Sequence, residues 1–466
     1  MLNFFPKFFS NRAMLCYLIT LVIVSFAFMR HAMQFQFMLF GAVAIVVFFY
    51  YSSSLTRNWR RFPPRKFVRN LFFVALIIRV IYVVFIYYYY IEMTGRPNMF
   101  YFGDEMTYEY YGEYAADHDF QSFMKAVNFM GFSDRGYCFW IGMMYRVFGA
   151  HVFSDRMVKC VVDAFTCVLM YSLTKRNFGE FTGRMAAIFY MLIPNAWYYC
   201  GLSLKETIMA FLVVLYVERS DNVIHSRKIL LKDLILPAVI MLVMFTFRTA
   251  LGAVLVAALA GALILSSGRQ LELWKKVLYV SVFGIWMMFT VGAEMIEETQ
   301  QLWEGRTENQ AVGYEWRSNR KGGNSFAKYA TASAFAPLIF TIPFSSMVDI
   351  PYQENQQIMN GANFIKNVMS GFVIFALFSL LFSGEWRKHV LPLAVMGGYL
   401  VVLVFSNFAH SERFHFPALG LELMFAAYGV SLVKSKHRRW FVLWLIFICL
   451  ANVAWAWVKL AGRGMA

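Results

Sequence analysis

The sequence predicts an all-α, polytopic membrane protein of about thirteen spans, and three observations carry that prediction. The first is composition. Of 466 residues, 60% are apolar and only 15% charged, whereas soluble globular chains run at roughly 45–50% apolar and about 25% charged. That balance excludes an ordinary soluble enzyme and a disordered chain alike. The second is patterning: charges fall in short blocks between apolar runs near the roughly 20 residues that a bilayer crossing needs. The third is that basic blocks recur at every second turn, as Lys and Arg do in cytoplasmic loops. The formal net charge of +16 therefore reports orientation, and no nucleic-acid partner is expected.

The first predicted span, 14–29, follows Lys7 and Arg12 and has no small-residue cleavage site behind it, so it reads as an uncleaved anchor. Spans 36–54 and 71–91 flank a turn holding Arg57, Arg60, Arg61, Arg65, Lys66 and Arg69 with no acid. A long loop, 92–152, comes next. From Glu92 to Arg135 it carries eight acidic residues against three basic ones, which assigns it to the outer side. Six spans follow, at 153–174, 184–202, 205–218, 233–248, 249–267 and 276–294. Their alternate turns carry Lys175, Arg176 and Arg184, then Arg219, Arg227, Lys228 and Lys232, then Arg269, Lys275 and Lys276. In the second long outer loop, 295–362, the stretch Ala334 to Val348 is apolar but short and interrupted by Pro337 and Pro343. It is predicted to be re-entrant or interfacial on the outer surface. The last spans are 363–383, 390–407, 414–433 and 440–460, with Lys434, Lys436, Arg438 and Arg439 before the final one. With the N-terminus inside, every basic block is cytoplasmic. The organisation read from this is 1–70 as two N-terminal spans with a basic loop, 71–294 as a transmembrane core with its outer loop 92–152, 295–362 as an outer loop, and 363–466 as the C-terminal spans. Six cysteines without paired spacing give neither a disulfide framework nor a zinc pattern.

An ionisable group in hydrocarbon costs about 2.5–3.5 kcal/mol on insertion scales, so the positions of charges are informative. Four groups lie at the outer ends of spans. Asp104 and Glu105 precede Tyr108 in the first long loop. Lys205 and Glu206 occupy a tight turn. Arg248 ends the seventh span, and His410, Glu412, Arg413 and His415 fill a late turn before Pro417. Acids and bases from four distant turns on one side are what an active site at a membrane interface requires. Each group also has a plainer reading. The loop acids can be solvated topology charges. Glu206 can complement a helix dipole, typically by about 0.3–1 kcal/mol. Arg248 can snorkel, and the histidines can be loop or cap residues. Asp163, inside the fourth span without an evident partner, reads as a hydrogen-bonded structural residue. The run Tyr87 to Tyr90 reads as an interfacial aromatic belt, with sugar stacking as the alternative.

Taken together, these stretches resemble the GT-C superfamily of membrane glycosyltransferases, in the branch of protein O-mannosyltransferases and aminoarabinose transferases (glycosyltransferase family 39-like). Asp104-Glu105 with Tyr108, Tyr111 and Ala115 resembles the family's first outer loop. Tyr137 to Gly149, Asp155-Arg156 to Tyr171, Lys175-Arg176-Asn177-Phe178-Gly179 and Pro194 are similar to its loop helix, its Arg-opened span, its basic-Phe-Gly turn and the Pro of the next span. Glu412-Arg413-Phe414 with Pro417 resembles its late Arg-aromatic-Pro turn. The chain departs from the pattern in having three spans, not one, before the acidic loop, and in lacking the large soluble C-terminal domain of some members. Leu204-Lys205-Glu206-Thr207 and Phe247-Arg248 also resemble segments of surface-polysaccharide polymerases.

The resemblance implies a GT-C-like helical fold and a polyprenyl-phosphate sugar donor. It also implies a glycan, lipid or protein acceptor on the outer face of the cytoplasmic membrane. Among these residues Asp104 suits the general base, with Glu105 as its neighbour or substitute. Arg413, Arg248 and Lys205 suit the departing phosphate. Glu206 can orient Lys205 or bind a divalent cation through oxygen, although no motif demands a metal. His410, Glu412, His415 and Tyr108 are supporting residues. Two other readings stay open: a polymerase or ligase acting on pyrophosphate-linked oligosaccharide, and a transporter or lipid-linked sugar flippase.

Overall fold

The computed structural model describes residues 2–101, 103–129, 134–225, 231–265, 337–405 and 409–465. The predicted ninth span, 276–294, the basic turn 269–276 and the first part of the second outer loop lie outside the described residues. So do Arg227 and Lys228.

Among the described residues the chain is helical, with one isolated antiparallel bridge between Ala32 and Val348. The helices are α1 (Lys7–Ala27), α2 (Phe35–Asn58), α3 (Pro64–Thr94), α4 (Gly103–Asp117), α5 (Phe120–Phe129), α6 (Arg135–Phe148), α7 (Val152–Phe178), α8 (Glu180–Leu192), α9 (Pro194–Cys200), α10 (Glu206–His225), α11 (Leu231–Phe247), α12 (Thr249–Leu265), α13 (Glu354–Ile358), α14 (Asn360–Ser383), α15 (Val390–Phe405), α16 (Glu412–Leu432) and α17 (Arg438–Ala461). Seven are long and apolar enough to cross a membrane: α1, α2, α3, α7, α14, α15 with the 3-10 turn before it, and α17. The chain is thus built as a membrane-embedded helical protein.

Every predicted span within the described residues falls on helix, but one is not a single rod. The stretch 184–202 breaks between α8 and α9 at Ile193, whose ψ of 126° is extended. The cause is Pro194, which lacks an N–H and excludes helical geometry from the residue before it. α8 and α16 are buried on nearly all sides, and they form the middle of the bundle.

The loop 92–152 contains α4, α5 and α6. α4 and α6 pack closely because glycine faces glycine's neighbours. A Cβ on Gly112 would come within 2.4 Å of Ile141, and one on Gly142 within 2.6 Å of Ala115. Arg146 on α6 then donates to the carbonyls of Ala115 (2.7 Å) and Ala116 (2.9 Å), closing the C-terminal end of α4.

Residues 337–353 are not helical, and Thr341 to Val348 are almost wholly buried. The segment is buried because α14 and α17 supply donors and acceptors to its backbone. Lys366 donates to Ile342 O (2.9 Å), Asn367 to Pro343 O (2.9 Å), and Ser345 N–H to Asn452 Oδ1 (2.7 Å). Irregular backbone at such depth is tolerated only when protein satisfies it in this way.

Within the spans, Asp163 of α7 has partners after all. It takes hydrogen bonds from Arg79 Nε of α3 and from the Tyr190 hydroxyl (2.8 Å), with both charged side chains fully buried.

Candidate functional site

The two ends of the bundle differ in chemistry. At one end, basic residues meet carbonyls and acids of neighbouring helices. Arg184 donates to Trp59 O (2.8 Å), and Arg176 pairs with Glu218 (2.5 Å) and Asp221 (3.1 Å). The other end carries the loop helices, the buried segment 337–353 and the polar residues that the sequence singles out.

α4 starts at Gly103 with two acids in its first turn, where the helix dipole favours negative charge. The two point differently. Glu105 is fully buried, and its oxygens accept from Ser203 N–H (2.6 Å) and Met99 N–H (2.8 Å), with Arg156 of α7 at 3.6 Å. It therefore ties α4 to the turn between α9 and α10. Asp104 faces outward, its side chain 58% exposed, and reaches Arg413 Nη1 in the first turn of α16.

Arg413 is the centre of the site. Its Nε donates to Glu206 Oε1 (2.5 Å), and its Nη2 lies 3.4 Å from the Tyr108 hydroxyl. Glu206 is fully buried in the first turn of α10. Tyr108 passes the connection on by donating to Asp134 Oδ2 (2.6 Å), and Asp134 Oδ1 meets Lys205 Nζ. Lys205 also donates to Phe247 O (2.8 Å), the last carbonyl of α11. The next residue, Arg248, donates to the Tyr399 hydroxyl (2.7 Å) and lies 4.4 Å over the Phe414 ring, which Arg413 also approaches at 5.8 Å. Both guanidinium groups therefore flank one aromatic ring, a favourable cation–π setting.

Asp104, Tyr108, Lys205, Glu206, Arg248 and Arg413 thus come together, although they are spread over some three hundred residues of chain. The expectation that Glu206 orients Lys205 is corrected, because Glu206 pairs with Arg413 and Lys205 with Asp134. The cause is geometric: as neighbours at a helix start, the two side chains leave the backbone in different directions.

The late turn divides. Arg413 joins the cluster, whereas His415 turns to another one. Its Nε2–H donates to Ala409 O (2.8 Å), which leaves Nδ1 to accept from Lys366 (2.6 Å). His410 packs against Trp455 at 5.2 Å. Glu412 lies in the field of Lys459, Arg413 and Lys366. These three support the turn and the segment 337–353 and stand apart from the Asp104–Arg413 pair.

Sequence reasoning missed Asp134, Lys159 and Arg79, and read Asp155 only as part of the family resemblance. Asp155 accepts from Trp140 Nε1 (2.8 Å) and pairs with Lys159 (2.9 Å), joining α6 to α7. Arg79 was visible as a lone charge inside the third span. Of the tyrosine run, Tyr88 is exposed, but Tyr90 is buried with its hydroxyl 3.4 Å from those of Tyr198 and the Asn355 amide oxygen. Among the described residues no group of three or more His, Cys, Asp or Glu is arranged to hold a metal.

An apolar hollow of about 580 Å³ at the start of α4 is lined by Thr94, Phe100, Tyr101, Gly103 and Met106, none of which belongs to the charge cluster. The arrangement offers a half-exposed carboxylate paired with Arg413, which shares the Phe414 ring with Arg248. Chemically, it can take a proton and hold an anion at the same place. No protein-family model, curated protein or solved structure matches this chain.

Proposed function

We propose that this chain is an integral membrane glycosyltransferase of the GT-C type, with thirteen spans in the cytoplasmic membrane and its active site on the outer face. It moves a sugar from a polyprenyl-phosphate donor to a cell-envelope glycan, lipid or protein. The observation that carries the reading is the convergence of Asp104, Lys205, Glu206, Arg248 and Arg413 at one end of the bundle. A base beside a cluster of cations is what transfer from a lipid phosphate needs.

The acceptor hydroxyl oxygen bonds to the anomeric carbon as that carbon's bond to the phosphate oxygen breaks. The hydroxyl proton goes to Asp104, and a positioned base of this kind contributes about 10²–10⁴-fold. The bonding electron pair leaves on the lipid phosphate, where Arg413, Arg248 and Lys205 stabilise the growing charge. Glu206 holds Arg413 from behind, and Glu105 shapes the turn that carries Lys205, so neither takes the proton.

Asp104→Asn is expected to reduce transfer by about 100-fold or more while the protein still inserts and folds. Turnover near wild type with a lipid-linked donor would remove Asp104 from the mechanism. Three clustered cations also suit a pyrophosphate-linked oligosaccharide, which is the polymerase or ligase reading. Lipid intermediates in a deletion strain separate the two: a single missing sugar supports the monosaccharide transferase, and shortened chains support the polymerase. A transporter or flippase is supported by Asp163 inside a span and by the large number of spans, and the pair of Asp163 with Arg79 weakens the first of these.

A further inference from the structure

The charges of the site balance. Asp104, Asp134 and Glu206 face Lys205, Arg248 and Arg413. An anion cannot join three acids and three bases without adding net negative charge, unless one acid gives way. The acids are not equally fixed. Glu206 is fully buried and bonded to Arg413 Nε (2.5 Å). Asp134 is 19% exposed and held by Lys205 and Tyr108. Asp104 is 58% exposed, and among the described residues its carboxylate meets only Arg413 Nη1. It projects from the first turn of α4, next to Gly103 at the edge of the apolar hollow.

If Asp104 swings away, Arg413 keeps its orientation through Glu206 and is left with an unoccupied Nη1. Arg248 stays beside it on the same Phe414 ring. We propose that Asp104 is a displaceable internal ligand of Arg413: a phosphate monoester or diester on a lipid takes its place at Nη1, which frees Oδ2 of the carboxylate as well. The inference rests on the glycosyltransferase reading for the identity of the anion.

The test uses the full chain in nanodiscs of zwitterionic lipid, with farnesyl phosphate and inorganic phosphate as probes. Asp104→Asn removes the internal anion and keeps the side-chain shape, and Asp104→Ser serves as a second variant. Asp119→Asn removes an exposed acid of the same loop whose contacts are local, to Ser122 and Gln121. Farnesyl phosphate is expected to bind Asp104→Asn about tenfold tighter than wild type, the scale of one charge-assisted hydrogen bond. Asp119→Asn should bind as wild type does, and adding Arg413→Ala should remove the gain. Wild-type binding with no gain in either Asp104 variant overturns the inference and leaves the glycosyltransferase reading standing. An equal gain in Asp119→Asn also overturns it, because the effect is then one of general charge. No binding of either probe to any form overturns both. Inorganic phosphate binding as tightly as farnesyl phosphate overturns the assignment to a lipid.

Discussion

At Asp134, burial pushes the carboxyl pKa upward, but Lys205, Tyr108 and Arg248 together outweigh it and hold the group below its ordinary value. A carboxylate depressed in the folded state stabilises the protein above its unfolded value of about 3.9. That stabilisation is lost as pH falls through the folded value. The thermal midpoint of the wild type should therefore drop on acidification below about pH 4, more steeply than that of Asp134→Asn. Parallel curves for the two would detach Asp134 from acid stability. For Arg413→Ala, loss of charge-assisted bonds worth about 1.5–3 kcal/mol should weaken binding of a lipid-phosphate donor about tenfold or more, and unchanged affinity would make Arg413 structural. The residues of the site were legible as charges at the ends of apolar runs. Their pairing was not. Asp104 and Glu105 are neighbours in sequence, yet one faces out and the other is enclosed, because successive helical positions differ by roughly 100° in direction. Asp134 looked like one more loop acid, since nothing in its surroundings announces that Lys205 and Tyr108 will meet there.

Among the elements, helices were the most legible feature, because long apolar runs have few alternatives in a bilayer. Their interruptions were partly so. Pro194 announces the break between α8 and α9, whereas the burial of residues 341–348 depends on Lys366, Asn367 and Asn452, which sit on later helices. The pairing of α3 with α7 through Arg79 and Asp163 was half legible, because each charge is visible but their register is not. Removing one partner from a buried pair leaves an uncompensated charge and costs about 3–5 kcal/mol. Asp163→Ala should therefore lower the thermal midpoint sharply, and the double replacement Arg79→Met with Asp163→Leu should recover most of it. An Asp163→Ala variant as stable as wild type would deny the pair its structural role.

Across the whole molecule, the basic excess and the functional charges separate to opposite ends. The basic turns bind carbonyls and acids at one end, through Arg176 and Arg184. The other end gathers a neutral set of three acids and three bases from α4, α10, α16 and the turns between helices. The +16 net charge therefore says little about the site, whose charges cancel. The central claim is that this neutral cluster transfers a sugar from a lipid phosphate. Its most direct test is release of polyprenyl phosphate from a polyprenyl-phosphate sugar by the purified chain in nanodiscs with an envelope acceptor. The account predicts release by the wild type and a loss of about 100-fold or more in Asp104→Asn. No release by the wild type, or equal release by the variant, would contradict it.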